Sequence, residues 1–561
     1  MPGLLERNRT TTVLECLIIC GLAIVPLFLT FPYRVNIFLS YEGAYRMYLG
    51  QVPYKDFGTP LGFGFWLVPS LFFKLFGPHM MSLVKAQVFM NILGGFAFRS
   101  MMRSLNVQPI IRLLSILVFA ISYSFFNFWP WYNHSVIVYE FVGLAFLLAA
   151  LNREYKQAWI VYIQLFLSAT FLFLSFFTKQ DGGGLGLLLA LALLVYGCIQ
   201  DRKYLRLGIF IASYLIIALA VFLPFQKYNI GYWFNHGQPP HNSRLSVADF
   251  ADAIMGESQW IKFYLVLILL LLIPAIKQFS KTWEDRNFML FTLLTLGILA
   301  EAALFQVTSY TPPDNNIFFH SFAFALIASL LTSQLHIKLD GWKAIIAGAC
   351  LVLLWWSGTY WKYIDRVFAR FLPGKEVANV SPTGENVVSK HNFMINLDTT
   401  DVPTSEWVFT SIKGFEKMYM PPSTVHGMEK VLAWKAVNFQ GKMPKVLNMT
   451  ELTPLAYAMP YQLETGSNYP LWYHLGVGMF NKQLQLFTRK VQRQEYDIVM
   501  YEYAPTLNNF FPFALRETLQ QHYRLADSFL APRRPTNANI EVYVRKNDTT
   551  DWETLQYSES K

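Results

Sequence analysis

Apolar residues fall along this chain in eleven long blocks, at 12–30, 81–102, 110–128, 134–151, 157–177, 183–200, 205–225, 259–279, 287–306, 316–334 and 344–363. Short polar connections separate them. Blocks of roughly twenty residues are long enough to cross about 30 Å of hydrocarbon as helices. A further block, 60–77, is shorter and carries Pro69 and Lys74. Beyond residue 363 the pattern changes. "EYDIVMYEY" (495–503) and "NIEVYVRK" (539–546) predict strands, and "NNFFPFALRETLQQHY" (508–523) predicts a helix interrupted near Pro512. The chain therefore reads as a polytopic α-helical membrane protein of about eleven spans followed by a mixed α/β domain.

Charge decides how 60–77 is used. If it does not cross, the clusters Arg99/Arg103/Arg112, Arg153/Lys156, Arg202/Lys203/Arg206, Lys277/Lys281/Arg286 and Lys338/Lys343 all fall on the side of Arg7 and Arg9. If it crosses, every one of them moves to the opposite side. The positive-inside rule favours a helix lying at the outer interface. The N-terminus is then expected in the cytoplasm. The loop 32–60, the loop 226–258 and the tail are expected outside. The expected organisation is a membrane part over 1–363, with the external loop and juxtamembrane helix at 32–80, a linker at 364–390 and an extracytoplasmic domain at 391–561.

Composition agrees. Charged residues make up 15% of the 561 and hydrophobic residues 54%, against about 25% charged in a soluble domain. The net charge of +10 is explained by the cytoplasmic bias and does not call for nucleic acid. The four cysteines lie in apolar runs and predict neither a disulfide framework nor a metal site. HExxH, P-loop, GxSxG and dinucleotide signatures are absent from the sequence. An external enzyme without a nucleotide site needs an activated substrate delivered through the membrane.

The polar residues able to do chemistry gather on the expected outer side. They are Glu42, Arg46, Lys55 and Asp56 in the first loop, Trp129, Trp131, Tyr132, Asn133 and His134 at the third turn, and Lys179 and Asp181 before Gly182–Gly184. His236 and His241 lie in the 226–258 loop, and Asp314 and Asn315 precede a late span. A carboxylate near the interface suits a general base, because partial desolvation raises its pKa towards neutrality. Glu140 and Glu301 lie within spans, where ionisable groups are functional candidates by default. The tail aromatics Trp434, Tyr457, Tyr461, Tyr469, Trp472 and Tyr473 suit either sugar stacking or a core.

"EGAYRMYLGQVPYKDFGTPLG" (42–62), followed by an apolar segment ending in "LFGP", resembles the first external loop of the GT-C superfamily of membrane glycosyltransferases. It is nearest the protein O-mannosyltransferase and lipid A aminoarabinose transferase branch. The matching positions are Glu42, Tyr45, Gly50, Pro53, Tyr54, Asp56, Pro60 and Leu61. "FFTKQDGG" and "TPPDNNIFFHSFAFAL" look like further elements of that branch.

The resemblance implies an inverting transfer of a sugar from a polyprenyl-phosphate donor to a hydroxyl of a lipid, glycan or protein, in a bacterial inner membrane. In the branch the first acid of a pair is taken as base; Tyr41 stands there in this chain, so the role falls to Glu42, with Asp56 orienting the acceptor or sharing the proton, or to Asp56 itself, or the chain is inactive or differently specialised. Arg46, Lys55 and Lys179 would hold the donor phosphate. Tyr45, Tyr54, Tyr132, Asn133, His134, Asp181 and Asp314 would contact substrate. No cofactor is expected, a divalent metal is not favoured, and no metal ligands are assigned. The branch usually opens this loop with an acidic pair, where this chain has Tyr41-Glu42. A flippase, or a non-catalytic glycan-binding scaffold, is the alternative.

Overall fold

The computed structural model describes residues 2–33, 37–124, 128–155, 157–234, 247–257, 259–309, 318–337, 339, 341–361, 364, 402, 406–467, 469–471, 479–504, 511–532 and 538–556. The expected linker 364–390 lies outside them. The chain divides into two compact units. One takes residues 1–27, 87–221 and 243–393; the other takes 28–86, 222–242 and 394–561.

Helices occupy all eleven apolar blocks. Among the described residues eight candidate spans, from Arg9–Phe28 to Arg286–Phe305, are long and apolar enough to cross a membrane, and Pro109–Ser122, Phe318–Gln334 and Trp342–Trp355 are shorter. The protein is thus a polytopic helical membrane protein with an α/β tail. The short block becomes the helix Gly64–Phe76, 13 residues long with Pro69 inside it.

In the first unit the helices approach closely where side chains are small. A Cβ on Gly183 would lie 2.2 Å from the Phe176 backbone nitrogen, so that position tolerates only glycine. The Gly182–Gly184 triplet is a packing face. At another point three helices are tied by charge. The buried Glu15 carboxylate accepts from Arg99 Nε and from Arg112 Nε, each at 2.7 Å. Two residues of the expected basic clusters are therefore held inside the bundle.

The second unit is built on two sheets. In the larger, Val446–Met449 runs parallel to Ile498–Tyr503, which pairs antiparallel with Asn539–Arg545, which pairs antiparallel with Tyr523–Leu530. Ile498–Tyr503 is buried on both faces over its first five residues, because helices cover the sheet. The smaller sheet joins Phe31–Pro32 to Met418–Met420 in parallel, and Val408–Phe409 pairs antiparallel with the same strand. Residues just after the first apolar block thus enter a sheet with residues of the tail. Tyr33 reinforces this by donating to the Glu451 carbonyl at 2.6 Å.

The predicted strands are present at 498–503 and 539–545. The predicted helix begins after Pro512, at Phe513, and ends at His522. Proline fits this N-cap position because it has no N–H to leave unsatisfied.

Removing one member of a buried ion cluster leaves uncompensated charge, at about 3–5 kcal/mol. Glu15→Gln is expected to lower the thermal midpoint of the detergent-solubilised protein by several degrees, and Arg112→Lys by less. A midpoint unchanged in Glu15→Gln would show that the cluster does not hold the bundle.

Candidate functional site

The helix Ile37–Tyr48 presents Glu42 and Arg46 one turn apart, the i, i+4 order that favours an acid–base pair. Arg46 Nε donates to Glu42 Oε1 at 2.9 Å, and Arg46 Nη2 lies 2.9 Å from the same oxygen. Arg46 Nη1 donates to Gln51 Oε1 and to the Glu464 carbonyl, at 2.9 and 2.8 Å. The guanidinium lies 4.4 Å from the Tyr469 ring centroid. With only 1% of its surface exposed, Arg46 is spent inside the unit. Its structural role is to hold Glu42, and it presents no free fork to a phosphate.

Glu42 is also buried. Tyr469 donates to Oε1 from 3.4 Å. Every hydrogen bond to Glu42 among the described residues falls on Oε1, and none reaches Oε2. Burial raises the Glu42 pKa from the ordinary carboxylate value, while the charge and hydrogen bonds of Arg46 and the bond from Tyr469 oppose the rise. A carboxylate anchored by one oxygen, with the other unengaged and a raised pKa, suits proton abstraction.

The motif residues after Glu42 shape the chain. Gly50 has φ of 86° and Tyr54 of 63°. Both bend the loop tightly enough for Tyr54 N–H to donate to the Phe57 carbonyl at 2.7 Å. Asp56 Oδ2 accepts from Val52 N–H at 2.8 Å, capping the same turn. The Tyr54 phenol is fully buried and donates to the Leu61 carbonyl at 2.8 Å. Tyr54 and Asp56 are therefore turn-forming residues here, and Lys55 between them is exposed.

Tyr41 explains the departure from the acidic pair. Its hydroxyl donates to the Pro78 carbonyl at 2.7 Å, and its ring packs on Phe73. It fixes the end of the helix Gly64–Phe76. On the same helix face, Gly43 admits Trp66: a Cβ there would lie 2.1 Å from the indole. Trp66 Nε1 in turn donates to the Leu39 carbonyl at 2.7 Å.

The tail lies along this loop. Gly466 N–H donates to the Asp56 carbonyl, Gly58 N–H to the Tyr469 carbonyl and Leu471 N–H to the Gly58 carbonyl, at 2.7–2.9 Å. A narrow crevice results, lined by Glu42, Tyr45 and Arg46 from the loop helix and by Asn448, Thr453 and Tyr461 from the tail. Sequence reasoning named Tyr461 and Tyr469 only as tail aromatics and missed Thr453. Nothing local marks them, because the loop helix they face lies about four hundred residues away in the chain (|i−j| of 427 for Tyr469 and Glu42).

The other expected residues belong to the helical unit. Lys179 Nζ lies 3.2 Å from Asp181 Oδ2 and within 5.5 Å of the Tyr132 and Phe305 ring centroids. Asn133 is buried in the first turn of the helix Tyr132–Asn152, with His134 beside it. Glu140 and Glu301 are buried and lie within hydrogen-bonding reach of each other. A Cβ on Gly186 would strike the Glu140 carboxyl carbon at 2.5 Å. His236, His241, Asp314, Asn315, Trp472 and Tyr473 lie outside the described residues. Trp434 is core, with its indole N–H on Asp548 Oδ2 at 2.8 Å. Among the described residues, no group of three or more His, Cys, Asp and Glu is arranged to hold a metal.

No family model and no curated protein matches the chain. Among solved structures it is similar to that of ArnT from Cupriavidus metallidurans, determined bound to undecaprenyl phosphate. The two share 12% identity over 94% of this chain and 97% of that chain, with a TM-score of 0.47.

Adding a methyl group at Gly43 has to displace the Trp66 indole, an overpacking cost of about 1–3 kcal/mol. Gly43→Ala is expected to lower the thermal midpoint and to red-shift the tryptophan emission. Unchanged emission and midpoint would mean that the helix absorbs the methyl group and that the close approach is not required.

Proposed function

We propose that this protein is an integral membrane glycosyltransferase that moves a sugar from a polyprenyl-phosphate donor to an acceptor hydroxyl, with inversion. The observation that carries the reading is the state of Glu42. It is buried, locked through Oε1 by Arg46, and unengaged at Oε2, on a loop whose sequence resembles that of GT-C enzymes.

In this reading the Glu42 carboxylate takes the proton of the acceptor hydroxyl. The acceptor oxygen bonds to the anomeric carbon as the bond from that carbon to the phosphate oxygen breaks. The electron pair leaves with the lipid phosphate, which departs as an anion and needs no acid. A base and a cation for the phosphate are then sufficient. Arg46 is occupied, so the phosphate role in this unit passes to Lys55, which is exposed and forms no ion pair among the described residues. Asp56 supports the base by shaping the turn. The proposed setting is a bacterial inner membrane, with the N-terminus in the cytoplasm and the tail outside.

The test follows labelled sugar from a panel of polyprenyl-phosphate donors to candidate acceptors. Glu42→Gln is expected to lower kcat by at least about 100-fold, the contribution of a general base, with the fold retained. Full activity in Glu42→Gln would remove Glu42 as base.

The pH profile carries a sign of its own. Activity requires ionised Glu42, so the rate rises with pH through its pKa, above the ordinary carboxylate range. Arg46 attraction lowers that pKa. Arg46→Met is therefore expected to move the acid limb of kcat/KM to higher pH, whereas Lys55→Met should weaken donor binding and leave the limb in place. An acid limb unmoved in Arg46→Met would assign the titration to another group.

A second reading has one observation of its own, the buried acids Glu140 and Glu301 within spans. Such residues mark ion or proton pathways in transporters. Loss of lipid-linked sugar translocation in Glu140→Gln, with Glu42→Gln silent, would favour a flippase.

A further inference from the structure

The crevice beside Glu42 has a size that limits what it can take. Its free space is about 10 Å³, room for one water-sized group and no more. Its floor is a carboxylate with an unengaged oxygen, and its far wall comes from the tail. Thr453 on that wall is 5% exposed, and its hydroxyl has no hydrogen-bond partner among the described residues. A buried hydroxyl left unsatisfied costs the fold free energy, so this one calls for a partner, a water or a ligand group, in the crevice. Beside it, the Tyr461 oxygen accepts from Asn448 Nδ2 at 3.2 Å. Asn448 is itself fixed by donating to the Leu452 carbonyl and accepting from Thr450 Oγ1, at 3.2 and 2.7 Å. Tyr461 is thus turned with its oxygen towards Asn448, which leaves its O–H as a donor.

We infer that this crevice is the subsite for a single alcohol group, the acceptor hydroxyl, and that Thr453 and Tyr461 of the tail hold its oxygen while Glu42 receives its proton. The inference rests on the transferase reading above and deepens it, because it assigns the acceptor side of the reaction to named tail residues. The chemistry selects a hydroxyl over the alternatives of its size. An ammonium group would need more than one acceptor and would meet Arg46. A carboxylate or phosphate does not fit the space and would be repelled by Glu42. A neutral hydroxyl donates to the carboxylate and accepts from the two hydroxyls on the wall. The class of acceptor is therefore a polyol or sugar bearing a projecting alcohol, whether lipid-borne or free.

Two measurements separate the possibilities. Equilibrium binding of the polyprenyl-phosphate sugar reports the donor side. The rate of transfer against acceptor concentration reports the subsite. Thr453→Val keeps the shape and removes the hydroxyl; Thr453→Ser keeps the hydroxyl. Loss of one neutral hydrogen bond corresponds to about a 3- to 10-fold effect. Thr453→Val is expected to raise the acceptor KM by that factor, with the donor KM and donor Kd unchanged and Thr453→Ser near wild type. Tyr461→Phe is expected to act in the same direction, and it reads the same wall if Thr453→Val does not fold.

Transfer with acceptor KM unchanged in both Thr453→Val and Tyr461→Phe would overturn the subsite and leave the transferase reading standing. The crevice would then hold a structural water only. A donor Kd raised as much as the acceptor KM in folded Thr453→Val would also overturn it, since the residue would then serve the donor. No turnover of any donor by the wild type would overturn both.

Discussion

A guanidinium buried with 1% of its surface exposed is the constraint on which the second unit is organised. Taking a cation out of water is costly unless each of its donors finds an acceptor. Arg46 finds Glu42 on its own helix, Gln51 just beyond the helix end, and the Glu464 carbonyl and Tyr469 ring in the tail. The Glu464 carbonyl and the Tyr469 ring are not available to the loop helix alone. The tail has to lie along the loop for the charge to be tolerated, and once it does, Glu42 has one fixed oxygen. Placement of the Glu42 carboxylate and burial of the cation are then one geometric requirement.

The loop motif acquires a physical meaning from this. Gly50 and Tyr54 turn the chain through positive φ, Asp56 caps the turn, and Phe57 and Gly58 emerge in register with the tail backbone. The run from Gly50 to Asp56 is a device for delivering an edge to residues 466–471. Its polar residues looked chemical in the sequence because a cap and a catalytic acid are the same residue type. Tyr41, where an acid is usual in the resembling family, is a bolt to the Pro78 carbonyl.

What was legible in the sequence follows the range of each interaction. The helices were legible because a span writes its signature locally, in about twenty consecutive apolar residues. The strands at 498–503 and 539–545 showed as short runs rich in apolar and β-branched residues, whereas Pro512, read as an interruption of a helix over 508–523, stands at its N-cap. Glu42 and Arg46 stood out because they are four residues apart on one helix. The pairing of Phe31–Pro32 with Met418–Met420 left no trace, since two residues carry no period. Thr453 was equally silent: an unsatisfied hydroxyl is defined by what surrounds it, and its surroundings come from distant parts of the chain.

The separation between Glu42 and Tyr469, 427 residues along the chain, also sets an order of events during synthesis. Glu42 is made early and Tyr469 late, so through most of elongation the acid sits on a helix whose partner cation has nothing to bury against. The nascent chain cannot assemble this carboxylate's surroundings, even with its membrane segments already made. Competence would switch on in one late step, when residues 464–471 lie down along the loop. A chain released before that step would carry the acid without the surroundings that tune it.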